Sequence, residues 1–475
     1  EKLFDTLLRN AGRMDYDAVQ FNSEVGSGEN AQLNLLNNNL LLNGIAQIHV
    51  SDSQQVTIYP SEQQVLLKKN RDFKFGGRIF AGNFEFMGKE YFFNYEDFKI
   101  DLLAVDSCRI YVEDEDARAD QYGRKPRMRV KNVLEDIAGT LKIDAPTNKS
   151  GVHSEKHSQY PIFNCSKNSY VYYNDHNIQQ GVYDRDEFYY QIEPFMIDSL
   201  DNFSRYDLAF NGTLVSAGIF PDIEEPLVLM DDLSLGFDKG TSTAGLSMYA
   251  GKSNFTAKIK LDYGGLHGNG QLDYLTSTSF SEDFIFFPDS TQGRTHSFQN
   301  LEQKSSIEIP AAYSDVVDIG FYPTKDLLTA SSVESPIVFF ADEATLNGQL
   351  KLQPSGMTGK GMMAFQGAEL DSKLFEYTTR KILSDTADFR LNQSGATELA
   401  FKTDNVNSDI DFDDRLGVFK SNGGETKIEF PANQYICFMD EFKWFMDDNE
   451  MELASNRKAS DDFVIDTSED TAASN

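Results

Sequence analysis

The sequence is poor in cysteine, and its cysteines lie far apart. Only Cys108, Cys165 and Cys437 occur in 475 residues, so there is no C-x-x-C metal or redox pair and at most one disulfide can form. Histidine is also scarce, with 6 residues, and no H-x-x-x-H pair falls in a helical pattern around a catalytic glutamate. These absences exclude the common cysteine-ligated centres and the helix-borne zinc hydrolase motif.

Positive charge and long apolar runs are lacking as well. Lys and Arg total 43 against 75 Asp and Glu, a formal net charge of −32, so polyanions are repelled and nucleic acid is excluded as a partner. No apolar run approaches the roughly 18 to 20 residues that span a bilayer, so no transmembrane segment is predicted. A surface rich in Asp, Asn and Ser fits a soluble extracytoplasmic protein.

Aromatic residues, by contrast, are plentiful. Phe 37 and Tyr 21 bring the aromatic content to 12%, and hydrophobic residues make up 40% of the chain, which is enough apolar side chain for a folded protein. At 475 residues the chain is too long for one ordinary core. We therefore expect two or more domains, or one elongated array of repeats.

The clearest internal signal is a repeated segment of strand-like residues. Residues 265–274 (GLHGNGQLDY) and 356–365 (GMTGKGMMAF) share the pattern G-Φ-x-G-x-G-x-Φ-x-aromatic at an offset of 356 − 265 = 91 residues. No helix pattern follows these glycines, so they do not predict a phosphate-binding loop. Glycines flanked by alternating apolar residues instead indicate strands that bend or are closely approached by another backbone.

The alternation predicts an all-β fold. Apolar residues recur with period two along most of the chain, in short runs separated by Gly, Ser, Asp and Asn turns. We expect repeated short strands that form a β-solenoid or a long coiled β-sheet. Tandem β-sandwich units are the alternative, because 91 residues is also about the size of one sandwich domain.

Composition and pattern divide the chain into eight segments. The predicted segments are an N-terminal helix (Lys2–Arg9) and linker in 1–30, a β-rich region with Phe and Gly strands in 31–145, a linker or insertion in 146–168, a Tyr-rich β region in 169–242, β repeats in 243–334 and 335–425, an aromatic capping segment in 426–455, and a disordered tail in 456–475.

The Tyr-rich region offers a candidate ligand site. Tyr172, Tyr173, Tyr183 and Asp186 fall close together in the sequence. Ring faces stack on the C–H surfaces of sugars while acids bind their hydroxyl groups, so this cluster is a candidate saccharide platform. The alternative is that these tyrosines occupy alternate positions of half-buried strands and face a core.

A run of alternate carboxylates offers a candidate cation site. Asp409, Asp411 and Asp413 project from one face of a predicted strand and could converge on Ca²⁺, the one cofactor that the sequence suggests. An EF-hand loop is excluded, because Asp414 and Lys420 occupy the positions where it needs Gly and Glu. The alternative is a solvated strand face that binds no metal.

The pattern of inward apolar and outward polar residues, interrupted by glycines over about 205–450, resembles the groove-forming β-repeat proteins of the Gram-negative envelope, the AsmA and TamB-like family. The resemblance implies a location in the periplasm, at the outer membrane or on the bacterial cell surface. It also implies a groove that carries lipid.

The sequence nominates no catalytic residue. A G-x-S-x-G nucleophile elbow is missing, and acidic residues are too abundant for any pair to stand out as general acid and base. We therefore expect a non-enzymatic β-repeat protein that acts as a structural scaffold or adhesin-like module with protein or glycan partners. The alternatives are a bridge-like lipid-transport groove and a carbohydrate-binding or carbohydrate-active β-helix protein.

Overall fold

The computed structural model describes residues 19–114, 117–121, 125–203, 205–393, 398–448 and 450–454. Over these residues the protein is all-β, as predicted: 39 strands are joined by turns, and helix is limited to single 3-10 turns. No helix in these ranges is long and apolar enough to cross a membrane. The helix predicted at Lys2–Arg9 and the tail predicted at 456–475 lie outside the described residues.

The strands follow one another with short connections. The first twenty are β1 (Ala31–Leu33), β2 (Leu40–Leu42), β3 (Ile48–Ser51), β4 (Val56–Pro60), β5 (Val65–Leu67), β6 (Phe73–Ala81), β7 (Phe84–Asn94), β8 (Lys99–Glu113), β9 (Arg127–Arg129), β10 (Leu134–Lys142), β11 (Ile162–Cys165), β12 (Ser169–Tyr172), β13 (Phe188–Ile192), β14 (Met196–Ile197), β15 (Ala209–Phe210), β16 (Gly212–Ser216), β17 (Ile223–Glu224), β18 (Leu227–Leu229), β19 (Leu235–Gly240) and β20 (Leu246–Met248).

The remaining nineteen strands include both copies of the repeated segment. They are β21 (Ser253–Asp262), β22 (Gly265–Tyr274), β23 (Ser277–Phe286), β24 (Thr291–Arg294), β25 (Ser297–Asn300), β26 (Ala312–Ser314), β27 (Val317–Tyr322), β28 (Leu327–Ser332), β29 (Ile337–Phe339), β30 (Ala344–Gln353), β31 (Gly356–Phe365), β32 (Ala368–Tyr377), β33 (Lys381–Asn392), β34 (Leu399–Asp411), β35 (Leu416–Ser421), β36 (Thr426–Phe430), β37 (Tyr435–Met439), β38 (Glu441–Phe445) and β39 (Glu450–Ala454). The 3-10 turns are Ser61–Gln63, Lys69–Arg71, Ser154–His157, Gln179–Gly181, Arg205–Asp207, Tyr249–Gly251 and Pro323–Lys325.

The chain forms two compact units. The first comprises Glu1–Asn269 and Ile285–Pro288, and the second comprises Gly270–Phe284 and Asp289–Asn475. The boundary passes through β22 and β23, inside the segment 243–334 that the sequence assigns to the first repeat.

Long strands in the second unit pair with two different partners on the same side. In β34, residues 406–411 pair with β35 and residues 402–403 pair with β36. In β30, residues 344–346 pair with β29 and residues 349–352 pair with β28. At each of these strands the sheet therefore forks into two branches, and all these pairings are antiparallel.

The first unit repeats this arrangement. Strand β6 pairs with β4 through residues 77–81 and with β5 through residues 73–74. Strand β10 pairs with β11 through residues 139–142 and with β12 through Glu135. Forked long strands are thus a common feature of both units.

A β-bulge near the middle of a long strand produces the bend between its two halves. In β33 the buried residues are Ile382 and Ser384 in one half and Ala387 and Phe389 in the other, with two exposed residues between them. The register of β33 against β34 shifts at the same place, between Ser384 and Ala387. The extra residue lets both halves bury the same face of the strand although the strand bends.

The two branches of the second unit meet through aromatic side chains. Phe389 and Phe401 lie in the strand halves that lead to β36, whereas Phe419 and Phe442 lie on β35 and β38. The ring centroids of Phe389 and Phe419 are 4.3 Å apart, and those of Phe401 and Phe442 are 5.0 Å apart. Burying one such ring stabilises the fold by about 1.5–3 kcal/mol. Both branches therefore share one filled core.

The repeated segment has the same strand bounds in both copies. Strands β21, β22 and β23 coincide residue for residue with β30, β31 and β32 when shifted by 91 residues. A glycine at the same place in each copy makes room for an aromatic ring. A Cβ on Gly268 would lie 2.5 Å from the ring of Phe286, and a Cβ on Gly359 would lie 2.5 Å from Oη and 2.9 Å from the ring of Tyr377.

This geometry predicts that Gly359→Ala destabilises the protein, because its new methyl group must displace the buried Tyr377 ring. We expect a loss of about 1–3 kcal/mol in the free energy of unfolding, measured by urea titration followed by tyrosine fluorescence and circular dichroism. Gly423→Ala is the matched control, since no atom lies within 4 Å of its added Cβ. Equal stability of the two variants would contradict the role assigned to Gly359.

Candidate functional site

The Tyr-rich segment forms two neighbouring strands whose side chains alternate between core and surface. Strands β12 and β13 pair so that Tyr172 lies opposite Tyr189 and Tyr170 lies opposite Gln191. These four side chains are half-buried and point away from the core, whereas their sequence neighbours Val171 and Tyr190 are fully buried. We call Tyr170, Tyr172, Tyr189 and Gln191 the tyrosine face.

Two of the residues predicted to bind a ligand lie in the core instead. Tyr173 and Tyr183 are both 0% exposed. The Tyr173 hydroxyl donates to the carbonyl of Leu235 at 2.8 Å. Both tyrosines therefore pack in the interior, as in the alternative in which they face a core; their role in ligand binding stays a prediction, and this burial does not favour it.

The Tyr183 hydroxyl group both donates and accepts a hydrogen bond. It donates to the carbonyl of Phe286 at 2.9 Å and accepts from the amide of Leu266 at 3.1 Å. Burial raises the pKa of Tyr183 to about 12, and the amide of Leu266 opposes this rise. The phenol is neutral at physiological pH and serves as a hydrogen-bonding bridge in the core.

The three rings of the tyrosine face touch one another. The ring of Tyr172 stacks on Tyr170 with centroids 6.0 Å apart and an interplanar angle of 20°. The ring of Tyr189 lies 5.8 Å from Tyr170 and 6.4 Å from Tyr172, and it is steeply inclined to both. The result is a continuous aromatic surface on the outside of the sheet.

An ion pair borders this surface. The Arg185 guanidinium lies 3.6 Å from the centroid of the Tyr172 ring, and its Nη2 donates to Oε2 of Glu135 at 2.7 Å. Glu135 is next to the face because it pairs with Tyr170 on the neighbouring strand. Burial raises the pKa of Tyr172, and the positive charge of Arg185 partly offsets that rise. Arg185 fixes one edge of the aromatic surface through stacking and charge together.

Asp186 is exposed in the turn between β12 and β13. Its backbone amide donates to Oδ1 of Asp184 at 2.8 Å, so its position is set by an Asx turn. Of the four residues predicted to bind a ligand, only Tyr172 belongs to the tyrosine face, and the sequence prediction omitted Tyr170 and Tyr189. In the sequence, Tyr170 and Tyr189 alternate with residues of the apolar core, and this alternation could have indicated the face.

Two of the three candidate calcium residues, Asp411 and Asp413, are held by different cations, whereas Oδ1 of Asp409 is buried without a hydrogen-bond partner in the described part of the chain. Asp411 accepts from Lys381 Nζ at 2.8 Å, and Asp413 accepts from Arg380 Nε at 3.0 Å. Asp409 lies on β34, two residues before Asp411. Among the described residues no three His, Cys, Asp or Glu side chains are grouped as metal ligands would be. The calcium site stays a prediction, and this geometry does not favour it.

The environment of Asp411 is that of a structural carboxylate. Burial alone would raise its pKa, but Lys381 and the backbone amides of Asp414 and Asp413 donate hydrogen bonds to it and lower its pKa below the usual value. The two amides lie 3.0 and 2.9 Å from Oδ1 and define the turn that ends β34. Asp411 therefore fixes a turn with the same oxygens that a metal ion would need.

No protein-family model matches this sequence, and no significant match was found among curated proteins.

The core placement of Tyr183 predicts that Tyr183→Phe destabilises the first unit. The substitution leaves the buried carbonyl of Phe286 and the amide of Leu266 without the hydroxyl. This should cost about 1–3 kcal/mol in the free energy of unfolding, measured by urea titration. Tyr170→Phe removes the same atom from the outer face and should change stability by less than about 0.5 kcal/mol. Equal losses in the free energy of unfolding for the two variants would contradict the role of the Tyr183 hydroxyl as a hydrogen-bonding group of the core.

Proposed function

We propose that this chain is a non-enzymatic β-repeat protein of the cell envelope or cell surface that acts as a structural scaffold and adhesin-like binding module. The main support is the aromatic core that fills the space between the forked branches of the sheet. Phe419 stacks on Phe442 with centroids 4.4 Å apart, and Phe389 closes on Phe419 from the other branch. A core filled by its own side chains leaves the outer surface as the place for binding.

The repeats form a long coiled β-sheet in this proposal. Antiparallel hairpins such as β30 with β31 and β31 with β32 support that form, since β-solenoids of the parallel β-helix type stack their strands in parallel. Tandem sandwich units remain the alternative arrangement of the same hairpins. In either form the repeat supplies a rigid support and the outward side chains supply specificity.

The proposed location is the periplasm, the outer membrane surface or the exterior of a Gram-negative bacterium. The net charge of −32 supports it, because such a surface stays soluble and is repelled by nucleic acid and anionic lipid. The strand pattern over about 205–450 resembles that of envelope β-repeat proteins, and this resemblance would imply the same location. Partners would then be proteins or glycans that the chain meets outside the cytoplasm.

The bridge-like lipid carrier is the competing function. Such a protein needs an apolar groove that acyl chains can enter. In the second unit the inward rings contact one another instead, as Phe365 does with Trp444 at 5.9 Å. These contacts favour the scaffold over the lipid carrier.

The two functions predict different contents for the purified protein. We expect native mass spectrometry to give the mass of the chain alone, and an organic extract of the same sample to contain no stoichiometric phospholipid. A lipid-transfer protein extracted in parallel controls for recovery. Phospholipid at one or more molecules per chain would overturn the scaffold proposal and make the inward aromatic side chains a transport groove.

A further inference from the structure

The tyrosine face concentrates aromatic surface where the fold does not need it. Its three rings lie on the outside of β12 and β13, while the core side of the same strands is filled by Val171, Phe188 and Tyr190. Tyrosine combines a flat apolar ring with a polar hydroxyl, a combination that is enriched in recognition surfaces. The face is therefore suited to a ligand with both apolar and hydroxyl groups.

We propose that the tyrosine face binds a neutral saccharide, an inference that rests on the proposed function as an adhesin-like module. The ring surfaces would pack against the C–H faces of pyranose rings. The three phenols, together with Gln191, present neutral donors and acceptors for sugar hydroxyls. The saccharide lies across the strands, because the pairs Tyr170–Gln191 and Tyr172–Tyr189 place these groups side by side on adjacent strands.

Neighbouring strands extend the same surface with further polar groups. Glu135 of β10 lies opposite Tyr170 on one side, and Thr213 of β16 lies opposite Gln191 on the other. A row of four side chains, from Glu135 through Tyr170 and Gln191 to Thr213, thus crosses four strands of one branch. Because adjacent strands are about 4.8 Å apart, this row is about 14 Å long and accommodates two or three sugar rings.

Charge selects a neutral ligand over an anionic one. Glu135 and Asp136 lie close to Tyr172, Asp184 and Asp186 flank Arg185 in the sequence, and the whole chain has a net charge of −32. Uronic acids, sulfated glycans and phosphates would therefore be repelled. The nearby cation, Arg185, pairs with Glu135 at 2.7 Å, so its charge balances that carboxylate and is not available to an anionic ligand.

The same arrangement disfavours a basic peptide. Arg185 already stacks on Tyr172 and bonds Glu135, so these two groups are occupied by a cation of the protein itself. A lysine or arginine from a partner would have to displace it. Neutral hydroxyl groups can bind beside the ion pair without breaking it.

The test uses the full chain on an array of neutral oligosaccharides of glucose, mannose, galactose, xylose and N-acetylglucosamine, with polygalacturonic acid and polylysine as charged probes. Binding to at least one neutral oligosaccharide is expected, with its affinity then measured by titration calorimetry. Tyr189→Ala should weaken that affinity by roughly tenfold or more, since it removes one stacking surface. Gln191→Ala tests the polar contribution without removing a ring.

Tyr435→Ala is the matched control, because Tyr435 is a tyrosine that is 72% exposed on β37, in the other unit. Each variant must show a melting transition like that of the wild type, so that a loss of binding is not a loss of folding. If Tyr189→Ala does not fold, Gln191→Ala still tests the proposal. Binding of no neutral oligosaccharide at millimolar concentration, binding of the charged probes alone, or equal affinity in wild type, Tyr189→Ala and Gln191→Ala would overturn the saccharide proposal. None of these outcomes alters the scaffold proposal, which fails only if lipid or catalytic turnover is found.

Discussion

The fold depends on keeping backbone hydrogen bonds continuous through strands that must bend. A strand of ten or more residues that stayed flat could serve one wall of a core only. The bulges at Ser384–Ala387 in β33 and at Ser372–Phe375 in β32 shift the register by one residue, so that both halves of a strand turn the same face inward. Each half then pairs with a different short strand, as β34 does with β35 and β36. The fork, the filled core and the division between inward and outward residues all follow from this bend.

Where long strands bend, the turns that connect them come together, and in the second unit ion pairs link these turns. Glu343, which precedes β30, accepts from Arg380 before β33 at 2.8 Å and also from Arg415 before β35. Arg380 pairs in addition with Asp413, and Arg415 pairs with Asp447. A shared carboxylate orders two guanidinium groups at the entropy cost of holding one anion, which makes a network more effective than the same pairs apart. Arg380 and Arg415 are therefore engaged in ion pairs within the chain.

The sequence was sufficient to predict the class of fold, but not how the strands branch and enclose a core. Period-two alternation and glycine turns correctly predicted an all-β chain, because both are local signals. Forks could not be predicted, since they depend on which short strand reaches which half of a long one. The same limit applies to Tyr183, which lies in the connection between β12 and β13 and is placed inside by its contacts with Phe286 and Leu266. Tyr173, by contrast, continues the alternation of β12 and is buried in phase with Ser169 and Val171. Asp411 looked free to bind a metal because its partner Lys381 lies 30 positions away, on the neighbouring strand.

The division of each strand into an inner and an outer set of residues also determines where function can lie. Inward side chains form the aromatic contacts between branches. A substitution there therefore lowers the stability of the fold and does not act on a binding surface directly. Outward positions are under no such demand, and most of them are occupied by polar residues that keep the surface soluble. A cluster of three outward rings on β12 and β13 costs solubility and adds little to the core. Such a cluster is best explained by a contact outside the chain, and the surrounding carboxylates with the already paired Arg185 narrow that contact to an uncharged partner rich in hydroxyl groups.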